Sequence, residues 1–340
     1  MNLKSQIELI GLLLLIIPIS IYFFKPLPSP IESEKEKKRS LVIDFVRGLA
    51  MMGIVIIHID SYFEFYHKED PFINFTKLIA NFSRFCVPVF IITSGTLLSW
   101  KTPSKYWKGK LIGLLVPFLI FSILGYFTKY KISENLLGDL SYKIVWGKVF
   151  APYYYVPLLF QFYILFSLAP AFFDKLVNSG IGKILLILTA FINIFSNQIF
   201  PANTETLQNL ENISFTNFIF FFFLGIYLRK LFLNGSLFLQ YHSKKIIFVF
   251  SILFVGFLIY ISYVSLTHKY NFINHFLFYP TISFIILFYL GVNIENTNPE
   301  GKIFKSISYI GKKSLSVFLL HPIVIHIMHI VDPFSLGGPY

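Results

Sequence analysis

The stretch RSLVIDFVRGLAMMGIVIIHID (39–60) places an acid, a guanidinium and an imidazole in a segment that is otherwise apolar. Asp44 and Arg47 are three residues apart, so their side chains can pair on a helix. At about 100° per residue, Arg47 and His58 fall on nearly the same helical face, roughly 16 Å apart along the axis. A histidine there can carry a proton near neutral pH, or it can simply be hydrogen-bonded to a neighbouring helix. Asp44 and Arg47 can also be read as interfacial anchors.

The elements that position these residues must lie in a membrane. The chain has 340 residues, of which 55% are hydrophobic and 14% are charged, and a soluble protein could not cover that much apolar surface. Long apolar runs, rather than the alternation of a barrel, dominate. The sequence therefore predicts an all-α, polytopic helical membrane protein with about ten transmembrane helices in one bundle. The predicted spans are 8–24, 41–63, 78–99, 111–128, 153–173, 182–200, 216–232, 246–266, 273–292 and 314–331.

The net charge of +12 follows from lysines concentrated in alternate loops, such as 31–40 and 101–110. This asymmetry is typical of cytoplasmic loops and gives no indication of nucleic-acid binding. It predicts a multi-pass protein of the inner (plasma) membrane with both termini on the outer, periplasmic side. The single cysteine excludes an intrachain disulfide. We divide the chain into an extra N-terminal transmembrane helix with a basic cytoplasmic linker (1–38), a membrane domain (39–332) and a short tail (333–340).

Five stretches, in order, resemble the acyltransferase 3 family of membrane O-acyltransferases. They are DFVRGLAMMGIVIIH (44–58), FCVPVFIITSGTLLSW (85–100), YWKGKLIGLLVPFLIF (106–121), YYYVPLLFQFYILFSLAP (153–170) and YIGKKSLSVFLLHP (309–322). The resemblance covers about residues 39–330. Two features depart from it. Lys108 and Lys110 stand in the segment where the family commonly has an Arg-x-x-Arg pair, and lysine cannot supply the guanidinium fork. Tyr154 or Tyr155 stands where the family usually has tryptophan.

The resemblance implies transfer of an acyl group, usually acetyl, from a thioester such as acetyl-CoA to a sugar hydroxyl. The acceptor would be a cell-surface polysaccharide, lipopolysaccharide or lipid-linked glycan. His58 would act as the base or relay the acyl group covalently. Arg47 would bind donor phosphate or stabilise the oxyanion, and Asp44 would hold Arg47. The partners would be acyl-CoA as co-substrate, the glycan acceptor and the lipid bilayer, with no bound cofactor.

Further side chains are candidates for binding substrate or donor. Lys105, Lys108 and Lys110 can supply charge for the CoA phosphates, although such lysines also set topology. Ser94 can donate a hydrogen bond or serve as a small packing residue. The remaining candidates are Gln161, which must find a partner within its span, and His321 of the terminal motif. His321, His326 and His329 are spread around their helix, so no metal site is predicted.

Two further charged residues, Asp60 and Arg84, are placed less favourably than these candidates to take part in a site. Asp60 is two residues after His58, which on a helix points it away from the imidazole. Arg84 begins the predicted third span, where it can be interfacial.

Two other functions stay open. The polar face can line the path of a transporter, flippase or exporter of a glycan or lipid, although no inverted repeat is visible. The protein can also be a non-enzymatic partner in a synthase complex.

Overall fold

The computed structural model describes residues 41–66, 72–99, 102–132, 134–177, 179–199, 209, 213–235, 238–239, 244–268 and 277–331. These residues form helices and turns and contain no strand, which confirms the all-α class. The predicted first span (8–24), the basic linker and the tail (333–340) lie outside the described residues.

The described helices follow one another through short connections. The first group is α1 (Leu41–Tyr66), α2 (Ile73–Phe82), α3 (Cys86–Leu97), α4 (Pro103–Lys110), α5 (Val116–Lys129) and α6 (Leu136–Val145). The second is α7 (Tyr155–Leu168), α8 (Pro170–Leu176), α9 (Gly180–Ile199), α10 (Ile219–Tyr227) and α11 (Arg229–Phe232). The last is α12 (Lys244–His268), α13 (Phe278–Thr297), α14 (Lys302–Lys312) and α15 (Ser314–Val331).

Six helical stretches of the described residues are long and apolar enough to cross a bilayer, which confirms a polytopic membrane protein. A seventh would be α7 with α8, but these two helices meet at an angle of 92°. The count of about ten spans is therefore not confirmed. Pro170 is the second residue after the end of α7 and the first of α8, and a proline has no amide hydrogen with which to continue the preceding helix.

The predicted span 216–232 does not form one continuous helix, because it divides into a 3₁₀ turn (Phe215–Asn217), α10 and α11. Its apolar run forms the nine-residue helix α10, and every residue of α10 is buried inside the protein. The segment is rich in phenylalanine and packs against protein on all sides. A helix that is apolar all round is as typical of a protein interior as of lipid. The backbones of α3 and α10 touch at Gly95 and Gly225, where an added Cβ would meet the carbonyls of Phe222 and Ile92.

Helix α1 lies at the centre of the bundle and packs closely against α14. The backbone of Gly311 lies against Asp44 and Gly48, and Gly48 in turn lies against the carbonyl of Ile307. Small residues allow membrane helices to approach at this distance, where dispersion contacts are strongest. The close packing fixes the start of α15, because Ser314 follows Gly311 by only three residues.

Three of the helical segments carry local irregularities. A 3₁₀ turn (Ser83–Phe85) separates α2 from α3, and a π turn (Leu111–Leu115) separates α4 from α5. Helix α15 contains Pro322. Such interruptions free backbone groups and redirect side chains, and they are frequent at functional sites.

Candidate functional site

A cavity of about 400 Å³ opens between α1, α3, the α4–α5 segment, α7 and α15. Its described lining includes two cationic side chains, Arg47 and Lys110, and no carboxylate. The other lining residues are aliphatic, aromatic, small or hydroxyl-bearing: Ile54, Phe90, Ser94, Leu97, Gly109, Gly113, Leu114, Tyr155, Leu159, Tyr163, Ser314, Leu315 and Phe318. The cavity is therefore suited to a ligand that is anionic at one end and apolar elsewhere.

Arg47 is held by α15. Its Nη2 donates a hydrogen bond of 2.9 Å to Ser314 Oγ, and its guanidinium carbon lies 5.8 Å from the ring centre of Phe90. The Nε atom is buried without a hydrogen-bond partner among the described residues. Arg47 and Ile54 lie two helical turns apart on the face of α1 that borders the cavity, and His58 follows one turn later. This is the face that the sequence spacing predicts.

Lys110 and Lys108 have different surroundings although they are two residues apart. Lys110 Nζ lies 3.8 Å from the ring centre of Tyr163 and 5.5 Å from that of Tyr106, so two aromatic faces hold the ammonium group in the cavity wall. Lys108 is exposed and does not line the cavity. The structure thus brings one of the two predicted lysines to the site. Lys105 is exposed as well.

The wall beside Lys110 is open. Gly109 and Gly113 line the cavity, and no atom lies within 4 Å of the position that a Cβ would occupy at either residue. The π turn (Leu111–Leu115) widens the helix at this point. A narrow ligand can therefore approach the backbone here more closely than at any residue with a side chain.

His58 and His321 form a pair just beyond the inner end of the cavity. Their ring centres are 5.4 Å apart and the ring planes are inclined by 40°. Ile54 and Phe318, which do line the cavity, precede these histidines by four and three residues. The phenyl ring of Phe318 lies 5.8 Å from the imidazole of His321, centre to centre. The cationic end and the imidazoles are therefore connected along α1 and α15.

A second polar cluster, which the sequence did not predict, lies near His58. Arg84 lies in the 3₁₀ turn and is half-buried, and its charge acts electrostatically on His58, Asp60 and Tyr154. Asp60 accepts a hydrogen bond of 2.8 Å from Thr76. Arg84 is not at the start of its span as expected, because α2 begins at Ile73 and carries the turn into the interior.

The other predicted residues fall in different places. Ser94 lines the cavity, within hydrogen-bonding reach of the hydroxyls of Tyr155 and Tyr163. Asp44 is buried at the first turn of α1 and is not a described lining residue.

Gln161 is also outside the described lining. Its Nε2 donates a hydrogen bond of 2.8 Å to the carbonyl of Ile213, and its Oε1 accepts a hydrogen bond of 3.3 Å from the amide of Phe215. Gln161 therefore connects α7 to the chain before α10. Sequence reasoning also missed Ser314 and Tyr163, which lie inside stretches that resemble family motifs.

In the part of the chain that the structure describes, no group of three or more His, Cys, Asp or Glu side chains is placed to hold a metal ion.

No curated protein and no solved structure matches this chain. A family model described as an acyltransferase domain matches residues 41–336, which include every helix described above. The site and the membrane helices thus lie within the matched domain, and the chain belongs to the acyltransferase 3 family.

Proposed function

We propose that the protein is an O-acyltransferase of the inner membrane that moves an acyl group, acetyl in the simplest case, from acyl-CoA to a glycan hydroxyl. The acceptor is a cell-surface polysaccharide, lipopolysaccharide or lipid-linked glycan. The observation that supports this most directly is the cationic cavity that leads, along α1 and α15, to the His58–His321 pair.

Charge and shape favour an acyl-CoA donor. Arg47 and Lys110 give the described lining two positive charges with no carboxylate to neutralise them, which suits the phosphates of the donor. Gly109 and Gly113 leave room for a thin, flexible arm beside these cations. An arm that extends from Lys110 past Phe318 would bring its thioester towards the histidines.

The residues can then perform acyl transfer with a simple proton balance. The hydroxyl oxygen of the acceptor attacks the thioester carbonyl carbon while His58 removes the hydroxyl proton. The carbon–sulfur bond breaks, His58 returns the proton to the departing thiolate, and the products are an ester and free CoA. The positive charge of Arg84, which acts electrostatically on His58, would stabilise the oxyanion that forms between these steps.

The two ends of the site suit substrates from different sides of the membrane. The lysine-rich segment before Lys110 is expected to be cytoplasmic, where acyl-CoA is made. Asp60, on which the charge of Arg84 acts, follows His58 on α1 and so lies further along this helix from Arg47. An acceptor at the outer surface would meet the histidines from that end.

The test is transfer of label from [¹⁴C]acetyl-CoA to envelope glycan in membranes of a strain that lacks the protein. The strain is complemented with wild type, His58→Ala or His326→Ala at matched protein levels. His326 lies in the C-terminal half of α15, outside the described lining, and controls for loss of a histidine. We expect label with wild type and His326→Ala and none with His58→Ala. Equal label in all three would remove His58 from the reaction, and no label with wild type would favour export.

A further inference from the structure

One nitrogen of the His321 ring has a fixed role. Nδ1 lies 3.1 Å from the carbonyl oxygen of Val317, one turn earlier on α15. A carbonyl can only accept a hydrogen bond, so Nδ1 carries the proton. In the neutral ring, Nε2 is then a lone-pair acceptor. Pro322 adds to this arrangement, because it has no amide hydrogen and leaves the Phe318 carbonyl, also near the ring, without its helical donor.

The free nitrogen of this ring has no partner in the described structure. Nε2 is buried with no hydrogen bond to any described residue, and His321 as a whole is only 6% exposed. An unsatisfied buried acceptor costs about 1–3 kcal/mol, so a native protein that keeps one usually uses it. The other imidazole at this position is that of His58, with ring centres 5.4 Å apart. An imidazole nitrogen lies about 1.1 Å from its ring centre, so two nitrogens that face each other across this distance are about 3.2 Å apart, which is within hydrogen-bonding reach.

We propose that His321 is a positioning residue for His58. Its Nε2 accepts the ring N–H of His58, which leaves the other nitrogen of His58 unprotonated and directed at the reacting hydroxyl. This inference rests on the proposed function, because it takes His58 as the base. It assigns to α15 a role in catalysis through an orienting hydrogen bond, without contact between His321 and substrate.

The arrangement is consistent with the proton balance of the reaction. When His58 takes the hydroxyl proton, both of its nitrogens carry hydrogen. One N–H continues to donate to His321 Nε2, which stabilises the imidazolium, while the other returns its proton to the thiolate. His321 stays neutral throughout, because its Nδ1–H remains on the Val317 carbonyl. The hydrogen bond therefore matters to the transfer step and has little bearing on donor binding, which the proposal assigns to Arg47 and Lys110.

The experiment compares His321→Leu with His321→Gln in the purified full-length protein. Leucine has a similar volume and no acceptor, whereas the side-chain oxygen of glutamine can take the place of Nε2. For His321→Leu we expect kcat to fall about 10²-fold, with KM for acetyl-CoA unchanged within about twofold, and for His321→Gln we expect most of this loss to be recovered. If the leucine variant does not fold, His321→Asn replaces it, because its shorter amide stops short of the Nε2 position.

Two outcomes would overturn the positioning role. One is wild-type kcat in His321→Leu, and the other is a folded His321→Gln that is as slow as His321→Leu. The His58→Ala variant separates this from failure of the proposed function. If His58→Ala keeps full activity, the assignment of the base is wrong and the positioning role is lost with it. If only His58→Ala is inactive, the base stands and the role of His321 alone is refuted.

Discussion

Lys110 and Lys108 provide a matched pair for testing donor binding, because they share a helix and differ in surroundings. Lys110 Nζ lies 3.8 Å from the ring centre of Tyr163 in the cavity wall, whereas Lys108 is exposed outside it. A hydrogen bond to a charged group contributes about 1.5–3 kcal/mol. Since about 1.4 kcal/mol corresponds to a factor of ten, Lys110→Ala should weaken donor binding by about 10–150-fold. An exposed lysine contributes about 0–1 kcal/mol, so Lys108→Ala should have little effect.

The assay is isothermal titration of CoA into the purified protein in detergent, together with KM for acetyl-CoA. Lys110→Arg serves as a second control, because it keeps the positive charge and should bind CoA better than Lys110→Ala. Thermal unfolding of each variant shows that the loss of the aromatic contact has not unfolded the site. Equal weakening by Lys110→Ala and Lys108→Ala would refute the reasoning, because it would mean that overall charge, and not the cavity, attracts the donor.

Three further predictions concern the fold. Tyr153→Phe removes a hydroxyl that donates at 2.6 Å to a carbonyl of α15, so the free energy of unfolding should fall by about 1 kcal/mol, visible as a lower Tm. Gly48→Ala places a methyl group in the backbone of α14 and should reduce the monodisperse fraction on size exclusion, whereas Gly256→Ala enters open space and should not. The hydroxyl of Tyr126 holds the pKa of Asp139 below its usual range. Because this pKa is lower in the folded protein, the Asp139 carboxylate stabilises the folded state at pH values above its unfolded pKa of about 3.9. This stabilisation is lost as the pH falls through the folded-state pKa. The protection of α6 amides against hydrogen exchange, corrected for the intrinsic pH dependence of exchange, should therefore fall at acid pH in wild type and should already be lower at neutral pH in Tyr126→Phe.

The membrane class and the polar face of α1 could be predicted because both are local properties of the sequence. Composition alone requires a membrane protein, and the spacing of Arg47 and His58 fixes their common face once a helix is assumed. The structure keeps that face towards the cavity and the histidine pair.

The partners of that face could not be predicted, because they come from distant parts of the chain. Ser314 is 267 residues from Arg47, and its position depends on the packing of Gly311 against α1. No periodicity encodes such a pairing. The choice between Lys108 and Lys110 depends on the rotation of α4 about its axis, which follows from the contacts of α4 with α7, where Tyr106 donates a hydrogen bond to the carbonyl of Tyr163 and Lys110 lies over the Tyr163 ring.

Hydropathy also cannot distinguish lipid from a protein interior. The run 216–232 is as apolar as a transmembrane helix, yet α10 is short and surrounded by protein. Arg84 shows the converse difficulty. A single charge near the edge of an apolar run resembles an interfacial anchor, and only the observed start of α2 places it inside.

The close packing of α1 against α14 has a consequence for motion. Arg47 lies next to Gly48 in the chain, and Ser314 lies three residues after Gly311, so a backbone contact between the two glycines joins both members of the hydrogen bond. Tightly packed backbones resist shear, and this side of the cavity should therefore keep its dimensions through a catalytic cycle. The opposite side contains Gly109, Gly113 and a π turn, with open space beside both glycines. Backbone motions should therefore be largest in the α4–α5 segment, and these motions would set the rate at which CoA enters and leaves the cavity.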